Sequence, residues 1–111
     1  MERLAYKTIR RVGTKNPYEI AAAHSVVVTE DRIGNTMNAY YVQASGMKII
    51  CINSALPEPK KDFAVAHCLY HALTRKKSID IVVWMDRSGW NASHNEALGN
   101  AFAVLLLSLP F

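Results

Sequence analysis

Two histidines, His67 and His71, stand four residues apart in a segment rich in Ala and Leu. Residues at this spacing share one face of an α-helix, so both imidazoles can point toward a single coordination site. Imidazole nitrogen is a common zinc ligand in proteins. The pair therefore predicts a metal site. Two core histidines that only pack or form hydrogen bonds are the alternative.

The residue after the first histidine decides what such a site can do. The metallopeptidase pattern H-E-x-x-H has a glutamate there, which activates the metal-bound water. This chain has Cys68 at that position. A thiol has an ordinary pKa of about 8.5, and loss of a general base lowers a rate by roughly 10²–10⁴-fold. Because adjacent helical residues point about 100° apart, we interpret Cys68 as a buried, inert thiol rather than a metal ligand.

A catalytic zinc site needs a third protein ligand, and Glu96 is the candidate. It falls in the first turn of the last predicted helix, with residues 72–95 between it and His71. Ser93 and Glu96 also have the S-x-x-E spacing of a capping box, in which the glutamate satisfies only the helix start. Spacing alone leaves both interpretations open.

The rest of the chain predicts the α+β elements that must position these residues. Apolar periodicity and helix-start signals predict helices over residues 2–12, 17–24, 58–75 and 93–107. β-Branched and alternating segments predict strands over 26–29, 39–44 and 48–53. Residues 79–84 form a short strand or an apolar flap, and 86–89 form a turn. We expect a small, three-stranded, mostly antiparallel sheet with helices on one side.

Length and composition indicate one domain over residues 1–111. The apolar run 101–107 is far shorter than the roughly 20 residues of a membrane span. Residues 1–15 lack the apolar segment of a signal peptide. Two cysteines do not make a disulfide framework, so a cytoplasmic location is expected and a membrane is not.

The net charge of +4 comes largely from basic clusters near residues 7–15 and around the histidine helix. Such clusters suit nucleic acid or an acidic partner, or they are simply solvated side chains. No aromatic residues interleave with them. Nucleic acid is therefore not the expected partner.

Five segments, taken in order, resemble the ImmA/IrrE family of small metallopeptidases found in phages, integrative elements and stress-response systems. They are residues 16–21 (NPYEIA), 38–41 (NAYY), 50–54 (ICINS), 63–72 (FAVAHCLYHA) and 96–110 (EALGNAFAVLLLSLP). Each is weak alone, but their order and spacing are specific. The resemblance covers nearly the whole chain from about residue 14.

This resemblance implies a zincin-like, zinc-dependent peptidase domain whose members inactivate or relieve a transcriptional repressor encoded nearby. By position, His67 and His71 match the two histidine ligands and Glu96 matches the third ligand. Asn100 matches the polar residue one turn later, which would orient a ligand. A protein partner, with a repressor as the expected one, follows from the same resemblance.

Departures from the family pattern suggest a degenerate enzyme. Cys68 replaces the catalytic glutamate, and Tyr70 replaces a common glycine, so its phenol lies near the cleft or packs into the core. Leu98 and Gly99 replace a usual Glu and Ala. We therefore expect regulation of a repressor by binding rather than by efficient cleavage. An active zinc endopeptidase that cleaves the repressor is the alternative.

Overall fold

The computed structural model describes residues 1–85 and 94–109, which contain four helices and four strands. In chain order these are α1 (Glu2–Val12), α2 (Pro17–Ala23), β1 (Val26–Asp31), β2 (Met37–Ala44), β3 (Met47–Asn53), α3 (Glu58–Thr74), β4 (Asp80–Met85) and α4 (His94–Ser108). The predicted α+β class is confirmed. The turn predicted over 86–89 lies outside the described residues.

The sheet has four strands rather than the predicted three, in the order β1-β3-β2-β4. The extra strand is β4, which pairs antiparallel with β2 and places Val82 opposite Tyr41. β2 and β3 are also antiparallel, whereas β1 and β3 are parallel. β4 is an edge strand whose pairing partner is distant in sequence, so a short apolar segment alone did not distinguish a strand from a flap.

Local sequence signals explain where α1 ends and where α2 begins. α1 ends at Gly13, whose φ of 83° lies in the left-handed region that glycine adopts without strain. α2 begins after Asn16, whose side chain accepts hydrogen bonds from the backbone N–H groups of Tyr18 and Glu19. Both boundaries agree with the sequence.

The helices cover one face of the sheet. α3 packs against β2, β3 and α4, while α2 packs against β1. The inward residues of the two central strands, Tyr41, Ile50 and Ile52, are fully buried. Val27 and Ile81, on the opposite face, are exposed. Burial of each large apolar side chain contributes roughly 1.5–3 kcal/mol, so this shared core holds α3 in place.

Two helices therefore bring the predicted site residues together. α3 carries the histidine pair, and α4 packs along it and carries Asn100. None of the helices in residues 1–85 and 94–109 has both the length and the apolar character needed to cross a membrane.

Candidate functional site

The histidine pair lies on the buried face of α3. His67 is 0% exposed and His71 is 1% exposed, and the centroids of their rings are 5.2 Å apart. The four-residue spacing places the two rings one above the other along the helix. The structure thus brings both predicted ligands to one place.

Asn100 holds the His67 ring from α4. Nδ1 of His67 lies 2.8 Å from Oδ1 of Asn100. An amide oxygen can only accept, so Nδ1–H is the donor and Nε2 carries the lone pair. The residue predicted to orient a ligand therefore contacts a predicted ligand.

The Nε2 atoms of His67 and His71 are buried and have no hydrogen-bond partner among the described residues. A buried polar atom without a partner costs roughly 1–3 kcal/mol, so two such atoms on rings with centroids 5.2 Å apart require an explanation. Two imidazole nitrogens suit a zinc ion. On this observation the histidines fit the metal that the resemblance implies.

Burial also sets the charge of the pair. It lowers the pKa of His67 to about 4, against the raising effect of the Asn100 hydrogen bond. It lowers the pKa of His71 to about 4 as well, and the nearby Arg75 guanidinium acts in the same direction. Both imidazoles are therefore neutral at neutral pH, which is the form that coordinates a metal.

Trp84, on strand β4, covers one face of the His67 ring. The indole and imidazole planes are stacked, 6° from parallel, with centroids 3.9 Å apart. Sequence analysis did not identify Trp84, because its position opposite α3 depends on the pairing of β4 with β2.

Gly99, on α4, covers the other face of the same ring. A Cβ placed on Gly99 would lie 2.8 Å from Cε1 of His67 and 3.0 Å from both ring nitrogens. These three short distances place the Cβ position over the face of the imidazole ring. The atoms nearest to that position all belong to His67 and none to the indole, so Trp84 stacks on the other face of the ring. Glycine is unfavourable in a helix interior, but at position 99 a larger residue would overlap the His67 ring.

Cys68 faces the apolar core. It is 1% exposed and belongs to the main hydrophobic cluster. Burial raises the pKa of its thiol to about 12, and the nearby Cys51 adds to this shift. The thiol therefore keeps its proton at neutral pH and cannot act as a general base, as expected for a buried, inert cysteine.

Tyr70 packs between the histidine pair and α4. Its ring meets the edge of His71 at a centroid distance of 5.6 Å and lies 5.9 Å from the ring of Phe102. It also lines a cavity of about 330 Å³ with His71, Arg75 and Asp80. Of the two positions expected for this phenol, the structure shows a half-buried side chain between the cleft and the core.

Glu96 lies in the first turn of α4, as predicted, one turn before Asn100. No group of three or more His, Cys, Asp and Glu side chains within residues 1–85 and 94–109 is arranged to hold a metal ion. The role of Glu96 as third ligand stays a prediction. Its alternative role in a capping box involves Ser93, which lies outside the described residues.

A second cavity, of about 400 Å³, adjoins the histidine site. Its lining includes Leu56, Phe63 and Trp84, with Asn38 and Lys60 as polar groups. Trp84 forms part of this wall and also stacks on His67. The cavity can take an apolar side chain against Trp84, whose ring separates it from His67.

The sequence of this chain is similar to those of known proteins. The chain is 28% identical over 101 residues to a protein of Bacillus phage phi105 described as "Uncharacterized immunity region protein 2". The aligned part covers 91% of this chain and 63% of that relative, so the chain spans less than two thirds of the relative's length. No solved structure matches. The family described as IrrE N-terminal-like domain (peptidase M78) matches residues 21–107, and the chain belongs to this family.

Proposed function

We propose that this chain is a degenerate zinc metallopeptidase domain of phage type that regulates a transcriptional repressor by binding it rather than by efficient cleavage. The observation that carries the proposal is the burial of Cys68 beside an otherwise suitable histidine pair. Cys68 occupies the position at which the family has its general base, a glutamate. A thiol with a pKa of about 12 does not accept a proton at neutral pH.

Zinc is the expected metal, held by Nε2 of His67 and Nε2 of His71, with Glu96 as the expected third ligand. When bound, zinc would supply a Lewis acid that polarises a carbonyl group. The chain's own residues keep both imidazoles neutral by burial, and Asn100 presents the lone pair of His67. These features support binding of a metal without requiring that anything be cut.

The cavity lined by Phe63 and Trp84 supports the second part of the proposal, since it offers an apolar binding site next to the indole that stacks on His67. A repressor as partner follows from the family resemblance. The phage relative described as an immunity region protein is consistent with it. We include a cytoplasmic location in this proposal, because both cysteines, Cys51 and Cys68, are free thiols.

Metal content tests the first part. Elemental analysis of purified protein should find roughly one zinc per chain, and the variant His67→Gln should lose it. His24→Gln is the matched control, because His24 lies at the end of α2 and lines a different cavity. A folded His67→Gln variant that keeps its zinc would contradict the proposed site.

Cleavage tests the second part. Wild-type protein mixed with the repressor encoded nearest to it should form a complex in which the repressor stays intact. Cys68→Glu should create or greatly raise cleavage, whereas Cys68→Ser should not. Equal cleavage by wild type and Cys68→Glu would refute our interpretation of Cys68. Thermal melting checks that each variant folds, and the intact wild-type complex gives a result even if Cys68→Glu does not fold.

An active endopeptidase is the second candidate. The unpartnered Nε2 atoms of His67 and His71 favour it, because the metal-binding half of the catalytic pattern is preserved. In that case wild-type protein cleaves the repressor, and both chelation of zinc and His67→Gln abolish the cleavage.

A further inference from the structure

A cavity of about 340 Å³ lies away from the histidine site, where α1, α3 and β3 meet. Lys7 and Arg11 of α1 and Lys48 of β3 line it, together with His24. None of the lining residues that the structure describes is acidic. The cavity therefore concentrates positive charge that the proposed metal site does not use.

The cavity opens onto a basic face of α1. Arg3, Lys7, Arg10 and Arg11 follow the i, i+4, i+7, i+8 spacing of one helix face, while Ile9, on the opposite face, is buried. Lys7 and Arg11 also line a neighbouring cavity of about 500 Å³ with Arg3 and Arg10. One continuous basic surface thus joins the two cavities.

In the part of the chain that the structure describes, no acidic side chain forms an ion pair with these cations. The ion pairs described within residues 1–85 and 94–109 are those of Lys61 with Glu30 and Glu58 and that of Arg75 with Asp80. Lys7, Arg11 and Lys48 have none among those residues. Uncompensated charges around a concave surface focus the field toward its interior and attract anions.

Part of the cavity is preorganised. Lys48 donates from Nζ to the backbone oxygen of Ala72 at 3.0 Å, which fixes its position and leaves further donors free. His24 donates from Nδ1 to the backbone oxygen of Ile20 at 2.9 Å. The lining also includes Leu4 and Leu73. The cavity therefore suits an anionic group that has an apolar neighbour.

We infer that this surface docks an acidic segment of the protein partner, with a carboxylate side chain between Lys7, Arg11 and Lys48 and an apolar side chain against Leu4 and Leu73. The inference rests on the proposed function, because it describes the partner that the domain binds. Alternating carboxylate and apolar side chains match both kinds of wall, whereas a nucleic-acid backbone offers only the anion. Tyr6, the aromatic residue of α1, has the Arg10 guanidinium over its ring at 5.8 Å, so one face of the ring is already in contact with a cation.

A fluorescein-labelled peptide of alternating Glu and Leu serves as the probe, and anisotropy measures its binding to the full chain. We expect binding that weakens as salt is raised and that falls about tenfold or more in Lys7→Glu/Arg11→Glu. The matched control, Arg32→Glu/Lys76→Glu, changes the net charge equally at exposed residues elsewhere. It should keep most of the affinity.

Three outcomes would overturn the inference. Equal loss in both double variants would show that only net charge matters. Tighter binding of a random-sequence DNA duplex than of the peptide would make this a nucleic-acid surface. Loss of peptide binding in His67→Gln would place the peptide at the histidine site. Because the probe is synthetic and the assay needs no zinc, its failure leaves the metal and cleavage tests of the proposed function unaffected.

Discussion

Burial has different chemical consequences on two faces of α3, the histidine face, which carries His67 and His71, and the cysteine face, which carries Cys68. His67 and Cys68 are neighbours in sequence, and both are almost completely buried. Burial lowers the pKa of the histidine to about 4 and raises that of the cysteine to about 12. Desolvation favours the neutral form in both cases. A neutral imidazole can still bind a metal, but a neutral thiol cannot take a proton. The same desolvation therefore keeps His67 in the form that the proposed metal site needs and leaves Cys68 unable to act as a base.

The histidine face should make metal-free protein sensitive to acid, which is the largest effect expected. Because the pKa of His67 and of His71 lies near 4 in the folded state and near 6.5 when unfolded, the unfolded state binds more protons between these values. The contribution of the two histidines to the free energy of unfolding is fully present above pH 6.5. It is lost as the pH drops toward 4, by up to roughly 3 kcal/mol for each histidine.

Denaturant unfolding of chelator-treated protein at several pH values measures this effect. The variant His67→Gln should show a shallower dependence on pH. Stability that is level between pH 6.5 and 4 would mean that the histidines are not buried as neutral groups.

The cysteine face should resist alkylation. With a pKa of about 12, the thiolate fraction of Cys68 at pH 8 is about a thousandfold below that of an ordinary cysteine. Iodoacetamide labelling of a Cys51→Ala variant, which leaves only Cys68, should be slower in folded than in urea-unfolded protein by about this factor. Rapid labelling of the folded variant would place Cys68 near solvent and reopen its role at the site.

The space over the His67 ring should make Gly99→Ala destabilising. Alanine is favoured over glycine in a helix by about 1 kcal/mol, but its Cβ would overlap a ring held by Trp84 and Asn100. Overpacking of this kind costs about 1–3 kcal/mol, so the net loss is expected to be about 1 kcal/mol.

The matched control for that variant is Ala101→Gly, at an exposed position of the same helix. Its loss of about 1 kcal/mol follows from helix propensity alone. If Gly99→Ala instead stabilises the protein in thermal melts, the His67 ring is not confined by α4.

Asn100→Ala should lower the free energy of unfolding about as much as Gly99→Ala, by about 1 kcal/mol, because one hydrogen bond is lost. It removes the acceptor that holds the proton on Nδ1 of His67 and so presents Nε2 as the ligand atom, and zinc affinity should therefore fall about 10–100-fold. A competition titration with a chromogenic chelator measures that affinity. Unchanged affinity would show that the contact between Asn100 and His67 has no part in metal binding.

Most of the local structure was predictable from the sequence, and one element was not. The helix start at Asn16, the end of α1 at Gly13 and the turn between β2 and β3 depend on neighbouring residues, so local patterns identify them. The strand β4 depends on pairing with β2 some forty positions earlier in the chain. A short apolar segment does not specify that partner, and Trp84 was missed with it.

The sequence by itself determined that His67 and His71 share a helix face, that Cys68 stands where a base is expected, and that Asn100 follows one turn after Glu96. Periodicity and short spacings carry this information. Only the tertiary structure decided that Asn100 reaches His67, that Trp84 and Gly99 enclose its ring, and that basic residues of α1 and β3 share a cavity. These contacts join distant segments, and their geometry is set by the packing of the shared core rather than by any local pattern.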